Sequence, residues 1–254
     1  MKRGYQLDYS KMMPSVFDVE GRTRKAKTIH TVLTDFIGDD LSRLSLLTIG
    51  TSSGVIDRYL SDYLDSVVGM DIDQNAITHA SKNYQKTNLS FLVGDGMKVP
   101  FPSQRFNIVI CSHVYEHVPD AAKLMSEIYR VLVPGGVCYF AAGNRLNLME
   151  PHYRLPFLSI IPRPLAHLYM RLTGKGSHYY ERHFTVNGIR KLVSKFSLND
   201  YTCKMIEDPG RFNIEYMLTI AGRKQQIARI FCRYAYWLLP GYIWILQKKD
   251  DVIK

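Results

Sequence analysis

The sequence predicts an α/β fold in which helices cover both faces of a doubly wound, mostly parallel β-sheet. An apolar strand at 46–49 runs into the small-residue turn 50–54, and a second apolar strand ends at Asp71. A later apolar run at 106–111 is typical of a parallel strand that is covered on both faces. In such a sheet, ligands bind outside the carboxyl ends of the strands. We therefore expect a binding crevice at that edge of the sheet.

The first turn and the acid that follows it indicate a ligand that contains a ribose. Gly50, Ser52 and Gly54 keep the turn small, so that its backbone can approach a ligand closely. Asp71 follows about 20 residues later, where its two oxygens can accept hydrogen bonds from both hydroxyls of a ribose. An ordinary tight turn could contain the same residues, and the next strand ends help to decide between the two.

Two further predicted strands end in polar residues at the same edge. Asp95 closes a strand at 89–93, and Ser112 with His113 closes the strand after it. Because the carboxyl ends of parallel strands share one edge of a sheet, these side chains and Asp71 should surround one crevice. This convergence favours a binding site over an ordinary turn.

Five motifs in this order resemble those of the class I S-adenosylmethionine-dependent methyltransferases, in particular the branch that includes the ubiquinone and menaquinone methyltransferases. They lie within residues 44–142 and comprise 50–54, Asp71, 94–96, 116–118 and 132–136. The resemblance implies a Rossmann-like sheet of seven strands, with an antiparallel last strand and helical insertions. It also implies S-adenosyl-L-methionine as the cofactor.

The resemblance implies a role for each residue at the crevice. The turn 50–54 would lie against the methionine part and the ribose, and Asp71 would accept from the ribose hydroxyls. Asp95 would accept from the adenine amino group, Ile72 would press on the adenine plane, and the Met97 backbone would face the ring edge. The residues predicted to bind the cofactor are Thr48, Gly50, Ser52, Gly54, Asp71, Ile72, Asp95, Gly96, Met97 and Ser112.

One position departs from the family pattern. The first motif usually begins with Glu or Asp two residues before its first glycine, whereas this chain has Thr48 there, and Ser52 replaces the middle glycine. The acid of the family helps to hold the ammonium group of the cofactor, and a hydroxyl carries no charge for that contact. Weaker cofactor binding is the expected consequence, and a catalytically inactive cofactor-binding protein is an alternative.

Three residues after the fourth strand are the catalytic candidates. Methyl transfer from a sulfonium chiefly requires that the acceptor be held close to the methyl carbon and that water be excluded. His113, Glu116 and His117 lie at the edge of the predicted acceptor pocket, and His readily takes a hydroxyl proton near pH 7. Packing of His117 against the following helix is the alternative. A second polar and aromatic cluster, residues 178–183, could reach the pocket from the side of the insertion.

The same three residues raise the question of a metal. Some quinone O-methyltransferases of the family resembled here bind a divalent ion through two glutamates and a histidine in this position. Glu116 and His117 match the later pair, whereas His113 replaces the first glutamate. We therefore expect no bound metal and keep an ion at these residues as the alternative.

The 254 residues suit one large α/β domain with insertions. We predict a single methyltransferase domain in four parts. They are an N-terminal cap helix region at 1–43, a cofactor-binding core at 44–142, an apolar, Pro-rich lid or substrate insertion at 143–183, and a C-terminal part at 184–254 with a basic, aromatic insertion at 209–240.

The ends of the chain require choices between elements. An irregular start precedes an amphipathic helix at 21–37, whose basic side chains favour a solvated face over a phosphate clamp. These basic side chains are Arg22, Arg24, Lys25 and Lys27. We predict strand six at 201–207 and strand seven at 241–249, with 216–221 as the rival seventh strand.

Three helix starts are predicted from their first residues. Asp73 and Thr185 are suitable caps, and Pro119 suits the first turn of the helix before the fifth strand.

The charge distribution and the cysteines restrict the possible partners and the cellular location of the protein. Residues 1–150 hold 16 basic and 16 acidic side chains, so the whole excess of +10 lies in residues 151–254 and indicates an anionic partner or a solvated basic face. The segment 223–239 is too short and charged to span a bilayer, and it suits an interfacial helix at a membrane or a core-covering helix. The four cysteines are predicted to be reduced thiols of a cytoplasmic protein, with association with a membrane left open as an alternative.

These observations together favour O-methylation of a small hydrophobic or lipid-linked acceptor. A soluble sugar or polyketide acceptor is the rival. A nucleic-acid substrate is disfavoured, because positive charge alone reads no sequence and the chain has no motif for a flipped base.

Overall fold

The structure, a computed structural model, describes residues 6–249. Nine strands occur in the described part of the chain. They are β1 Ser45–Ile49, β2 Ser66–Asp71, β3 Leu89–Val93, β4 Phe106–Ser112, β5 Leu132–Gly143, β6 Met149–Glu150, β7 Leu155–Pro156, β8 Ser197–Asp200 and β9 Gly241–Gln247. Seven of them form one sheet in the spatial order β3-β2-β1-β4-β5-β9-β8, and β6 pairs with β7.

The sheet is parallel from β3 to β5, and β9 runs antiparallel to both β5 and β8. The predicted doubly wound sheet with an antiparallel last strand is therefore confirmed. The register brings Ile49 of β1 opposite Met70 of β2 and Cys111 of β4. Because these strands end level with one another, the turns that follow them meet at one edge of the sheet.

Helices cover both faces of the sheet. They are α1 Tyr9–Met12, α2 Val19–Ile37, α3 Val55–Leu60, α4 Gln74–Asn83, α5 Ala121–Val131, α6 Arg163–Leu172, α7 Val186–Leu192, α8 Thr202–Glu207 and α9 Arg223–Tyr234, with 3₁₀ turns at Pro14–Phe17 and Tyr236–Leu238. Buried side chains of α2 and α3 form the apolar core on one face, and those of α5 and α7 form it on the other. The sheet is thus enclosed between two helical layers.

Side-chain caps fix the starts of several helices. Asp73 accepts hydrogen bonds from Asn75 N at 2.9 Å and Ala76 N at 3.2 Å, so its predicted cap role is confirmed. Asp120 caps α5 by accepting from Lys123 N at 3.0 Å, and Pro119 lies before that cap, outside the first turn where it was predicted. Thr185 stands at the start of α7 without a side-chain capping bond.

The predicted sixth strand at 201–207 is wrong, because this segment forms α8 and the strand is Ser197–Asp200. Thr202, Met205 and Ile206 are buried, and their spacing of three and four residues is that of one helix face. The predicted seventh strand is confirmed as β9, and its rival at 216–221 forms turns.

Two other segments differ from expectation. The start of the described chain is not irregular, since α1 and a 3₁₀ turn occupy it. The 143–183 insertion contains the β6–β7 hairpin and α6, which enclose an apolar cluster of their own. This cluster is formed by Leu155, Leu158, Ala166, Met170 and Tyr179.

The cysteines follow the prediction only in part. Cys111 and Cys138 are buried free thiols, as expected. Cys203 and Cys232 form a disulfide that joins α8 to α9, so the prediction of reduced thiols is wrong for this pair. Their separation of 29 residues gave no signal in the sequence, because the pairing depends on how the two helices meet. No helix within residues 6–249 has both the length and the apolar character needed to cross a membrane.

Candidate functional site

A cavity of about 200 Å³ lies at the carboxyl ends of β1, β2 and β4. Seven of the residues predicted to bind the cofactor line it. They are Gly50, Ser52, Asp71, Ile72, Asp95, Gly96 and Ser112. The level ends of these three strands and of β3, which Asp95 and Gly96 follow, therefore bring the predicted side chains around one space, which we call the crevice.

The turn after β1 needs its glycines. Gly50 and Gly54 have φ angles of 79° and 78°, a region that residues with a β-carbon rarely adopt. A β-carbon on Gly50 would lie 2.6 Å from Val114, and one on Gly54 would lie 2.7 Å from Ala80. Ser52 adopts φ of 57° between them, so the turn presents backbone to the crevice at close range.

Asp71 ties the turn to the tip of the second strand. Its Oδ2 accepts a hydrogen bond from Ser52 N at 2.8 Å, and its Oδ1 accepts one from Asp73 N at 3.0 Å. Burial raises the pKa of this carboxyl, and the two backbone donors oppose that rise. Each oxygen keeps a further lone pair for a hydroxyl donor.

Three predicted cofactor residues do not line the crevice. Gly54, the last residue of the turn, packs against Ala80 and Phe91. Met97 is buried with its backbone N–H donated to Asp95 Oδ1 at 2.8 Å, so this N–H is already engaged. Thr48 is buried, and its hydroxyl helps to lower the pKa of the Asp57 carboxyl. Burial raises the Asp57 pKa to about 6, against the opposing effect of the Thr51 and Thr48 hydroxyls. Thr48 is therefore part of a buried polar group beneath the turn.

The N-terminal segment contributes residues that the sequence analysis did not identify. Gln6, Tyr9, Arg22 and Lys25 line the crevice from above. Ser10 N donates to Asp73 Oδ2 at 2.8 Å and thereby fixes this segment over the opening. The cap helix region predicted at 1–43 did not identify these side chains, because residues far apart in the chain meet only across the folded sheet edge.

Two of the four basic residues of α2, Arg22 and Lys25, correct the prediction of a solvated basic face. Loss of solvent lowers the pKa of Arg22, and it lowers that of Lys25 to about 8. Both side chains therefore face into the crevice, where they can pair with an anionic ligand group. Arg24, by contrast, pairs with Glu20 at 2.8 Å on an exposed face, as expected for a solvated residue.

A second, larger cavity adjoins the crevice. It measures about 540 Å³, and most of its wall is apolar. Apolar wall residues include Met205, Ile206, Ile214, Met217, Leu218, Ala228, Leu239 and Ile243. His113 and His152 line both cavities, so the two spaces meet at these imidazoles. We call this second space the apolar cavity.

His113 lines both cavities, and Glu116 lines the apolar cavity beside it; their place at the edge of an acceptor pocket stays a prediction. His113 Nδ1 lies 3.4 Å from Glu116 Oε1, and Glu116 is fully buried. Burial opposes the charge of Glu116, yet the neighbouring imidazoles, His113 first, hold the pKa of this carboxyl at about 2. His113 adopts φ of 56°, and its side chain is half exposed. Partial loss of solvent lowers its pKa, and the charge of Glu116 opposes this change.

His117 lines the crevice but not the apolar cavity. Its Nδ1 lies 2.6 Å from Gln6 Oε1, and Tyr9 lies against its ring with 4.9 Å between the ring centres. Burial lowers the His117 pKa to about 4, so this imidazole is neutral at pH 7. Its contacts hold the N-terminal cover in place.

A third group of polar residues comes from the insertion and was missed as a group. Glu150 Oε1 lies 2.7 Å from His152 Nδ1 and 3.6 Å from His183 Nε2. The predicted cluster at 178–183 does reach the cavity, through His183. His178 does not, since its ring faces His167 on α6 at 5.2 Å. The spacing of Glu150 and His152 was a signal available in the sequence.

This chain is similar in sequence to known methyltransferases. Residues 47–140 match a family model described as a methyltransferase domain. A demethylmenaquinone methyltransferase of Lactococcus lactis is 29% identical over 163 residues, which are 61% of this chain and 62% of that protein. A ubiquinone biosynthesis O-methyltransferase of Coxiella burnetii is 24% identical over 177 residues, which are 68% of this chain and 71% of that protein. The chain thus matches less than two thirds of the length of the Lactococcus relative.

Solved structures share the fold. A methyltransferase of Mesorhizobium loti that depends on S-adenosylmethionine has a TM-score of 0.55 at 16% identity, over 82% of this chain and 92% of that one. A methyltransferase from Methanosarcina mazei with the same cofactor dependence has a TM-score of 0.53 at 19% identity, over 87% of this chain and 98% of that one. At these identities the likeness concerns the architecture of the sheet and its helices.

Proposed function

We propose that this chain transfers a methyl group from S-adenosylmethionine to an oxygen of a small hydrophobic or lipid-linked acceptor. The chain belongs to the class I S-adenosylmethionine-dependent methyltransferases, and the proposal starts from that membership. One observation carries the proposal. The crevice with the family's cofactor motifs opens into an apolar cavity of about 540 Å³, and His113 and His152 stand where the two meet. A cofactor and an apolar acceptor can therefore approach each other at an imidazole.

The lining of the crevice fits the cofactor group by group. The glycine turn leaves no room for a β-carbon, which suits close backbone contact with a ligand. Asp71 has lone pairs for the ribose hydroxyls, and Arg22 and Lys25 offer positive charge to a carboxylate. When bound, S-adenosylmethionine supplies a methyl group on a sulfonium, which needs no further activation.

The residues near the point where the two cavities meet would exclude water and accept the acceptor's proton. Gln6 and Tyr9 cover the crevice and exclude water from it. His113 is neutral at pH 7, because partial loss of solvent lowers the pKa of this half-exposed imidazole, so it can accept the proton of an acceptor hydroxyl. Glu116, buried and charged, holds that imidazole in place and stabilises its protonated form.

The apolar wall supports a hydrophobic acceptor over a sugar. Burial of each methylene contributes ~0.8 kcal/mol, so an acceptor with an alkyl or isoprenoid chain gains most from this cavity. One relative is named for demethylmenaquinone and the other for ubiquinone biosynthesis, and by analogy a quinone-type ring is a candidate head group for the acceptor. Both considerations support a phenolic head at His113 and an apolar tail in the cavity.

Filling the apolar cavity tests this proposal. We expect Ala228→Phe to raise KM for a catechol with a hexyl chain about tenfold, because the ring displaces roughly two methylenes from the wall. Unsubstituted catechol and S-adenosylhomocysteine should bind as in the parent protein. Radiolabelled methyl transfer and calorimetry measure the two effects. Gln226→Phe is the matched control, since Gln226 is exposed on the same helix.

Two results would count against the proposal. If Ala228→Phe leaves KM for the tailed catechol unchanged, the acceptor does not use this cavity. If S-adenosylhomocysteine binds but no catechol is methylated, a soluble acceptor or an inactive cofactor-binding protein becomes the better reading. Absence of any binding of S-adenosylmethionine or its product would exclude the enzyme altogether.

We further propose that α9 contacts a membrane from which the acceptor's tail enters. Ile227, Ile230 and Tyr234 are exposed by 53%, 55% and 72%, while Ala228 of the same helix lines the apolar cavity. Four basic residues accompany them on α9. They are Arg223, Lys224, Arg229 and Arg233. An apolar stripe with basic neighbours suits an interfacial helix at an anionic bilayer.

Vesicle binding tests the membrane contact. We expect the protein to sediment with vesicles that contain anionic lipid, and the double variant Ile227→Asp with Ile230→Asp to lose most of this binding. The reason is that two carboxylates would have to enter the headgroup region. Leu172→Asp on α6 is the matched control, because Leu172 is 77% exposed and apolar. Equal recovery with and without anionic vesicles would end the membrane proposal and leave the cavity unaffected.

A further inference from the structure

We infer that Glu150, His152 and His183 form a binding site for a divalent transition-metal ion of the Zn²⁺ type. One ligand atom from each residue lies within 4.8 Å of the other two. Two imidazoles and one carboxylate are a typical set for a zinc site that keeps a fourth position open. This site differs from the sequence-based expectation of no metal, and it does not use the turn at 113–117 that the family motif would favour.

Glu150 is oriented by its own hairpin. Its Oε2 accepts hydrogen bonds from His152 N and Tyr153 N, both at 2.8 Å. The side chain is fully buried, and its Oε1 faces the two imidazoles. A carboxylate that binds a metal is usually held by such outer hydrogen bonds. The backbone therefore fixes one oxygen and leaves the other for an ion.

His183 lacks the partners that a buried imidazole normally has. Its side chain is only 3% exposed, and among residues 6–249 no hydrogen-bond partner lies within reach of either ring nitrogen. Such an unsatisfied group is costly in a folded protein. Its Nε2 is 3.6 Å from Glu150 Oε1, too far for a hydrogen bond. Two ligands at ordinary zinc distances stand about 3.4 Å apart in a tetrahedral site, which matches this gap.

The surroundings hold His183 in this position. A β-carbon on Gly143 would lie 3.1 Å from His183 Nδ1, so the ring rests against bare backbone. His152 lies beside it with nearly parallel rings, 6.1 Å between their centres. The 2.7 Å hydrogen bond between His152 and Glu150 has to lengthen slightly when an ion enters. His152 can make this movement, since its side chain borders both cavities.

The position of the site indicates its use, and this step depends on the proposed function. His152 and His183 both line the apolar cavity, and His152 also lines the crevice. An ion with an open position there would face the point where an acceptor oxygen meets the cofactor. A divalent ion lowers the pKa of a hydroxyl bound to it, so it would favour the anionic acceptor and leave His113 to remove the proton.

Metal titration of the full chain tests the inference. After removal of metal with a chelator, we expect one equivalent of Zn²⁺ by calorimetry and one of Co²⁺ by visible absorption, with the intense bands of a four-coordinate site. Glu150→Gln should weaken Zn²⁺ binding by more than about 100-fold, because it removes a ligand and not merely its support. His152→Asn provides an independent ligand deletion with the same expected loss.

Matched controls separate this site from adventitious binding. His178→Ala removes a histidine whose ring faces His167 on α6, away from the proposed site, and should leave the Zn²⁺ affinity unchanged. Thermal unfolding and S-adenosylhomocysteine affinity report whether each variant is folded. The inference is overturned if the folded parent protein takes up no Zn²⁺ or Co²⁺, or if Glu150→Gln and His152→Asn bind as tightly as the parent. If the protein binds S-adenosylhomocysteine but takes up no metal ion, only the metal site is refuted. If it binds the metal ion but transfers no methyl group, only the proposed reaction is refuted.

Discussion

Replacing Asp71 by Asn is expected to raise the Kd for S-adenosylhomocysteine by about 100-fold. We propose that the carboxylate accepts from both ribose hydroxyls, and hydrogen bonds to a charged group contribute about 1.5–3 kcal/mol each. The amide has a single acceptor oxygen, which must also serve Ser52 N or Asp73 N. A loss of about 3 kcal/mol corresponds to a factor of roughly 100 in Kd. Isothermal calorimetry measures the change.

A control at a neighbouring acid makes the effect specific. Asp65→Asn removes an exposed carboxylate in the turn before β2 and should leave Kd unchanged. Thermal unfolding of Asp71→Asn distinguishes a lost contact from a collapsed turn, because Asp71 also joins the turn to the strand tip. A Kd within threefold of the parent value in the folded variant would show that Asp71 does not hold the ribose.

Replacing His113 by Asn is expected to lower kcat for catechol methylation by about 100-fold or more, the usual contribution of a general base. Asn is chosen because residue 113 has φ of 56°, a conformation that Asn tolerates better than most residues. The backbone should therefore persist, and Kd for S-adenosylhomocysteine should stay within threefold. A kcat that is unchanged while the variant binds the product would exclude His113 as the proton acceptor.

The pH profile provides a second test of the same residue. Loss of solvent lowers the His113 pKa below 6.5, Glu116 opposes this change, and Lys25 and His152 add to it. The neutral, proton-accepting form therefore predominates above a pH that is lower than 6.5. We expect the activity to rise with pH up to that point and to be level around pH 7. In the Asn variant the residual activity should not rise with pH in this range, because residue 113 then has no imidazole to titrate.

The arrangement of the central sheet was predictable because its signals are local. Each parallel strand is a short apolar run, and each turn after it is marked by glycine or an acid at the strand's end. Asp73 caps α4 through its own neighbours in the chain, which is why that prediction was also confirmed. The segment 201–207 was different, since its apolar residues suit a strand or a helix and only packing beneath the sheet decides.

The site was predictable where it consists of strand ends. Asp71 and Asp95 border one crevice because neighbouring parallel strands must end at the same edge. Arg22 and Lys25 were assigned to solvent, because helical spacing shows which residues share a face but not what that face meets. Glu150 and His183 lie in separate parts of the insertion, and no spacing rule connects them.

The sequence alone determined the parallel strands and the acids at their edge, since each depends on residues close together in the chain, whereas the direction of the last strand was implied by the family resemblance. The tertiary structure decided which distant residues meet: the N-terminal cover over the crevice, the disulfide of Cys203 with Cys232, and the two imidazoles beside Glu150. These contacts depend on how the insertions fold back over the sheet. Their geometry is set by the packing of whole elements, which local propensity does not encode.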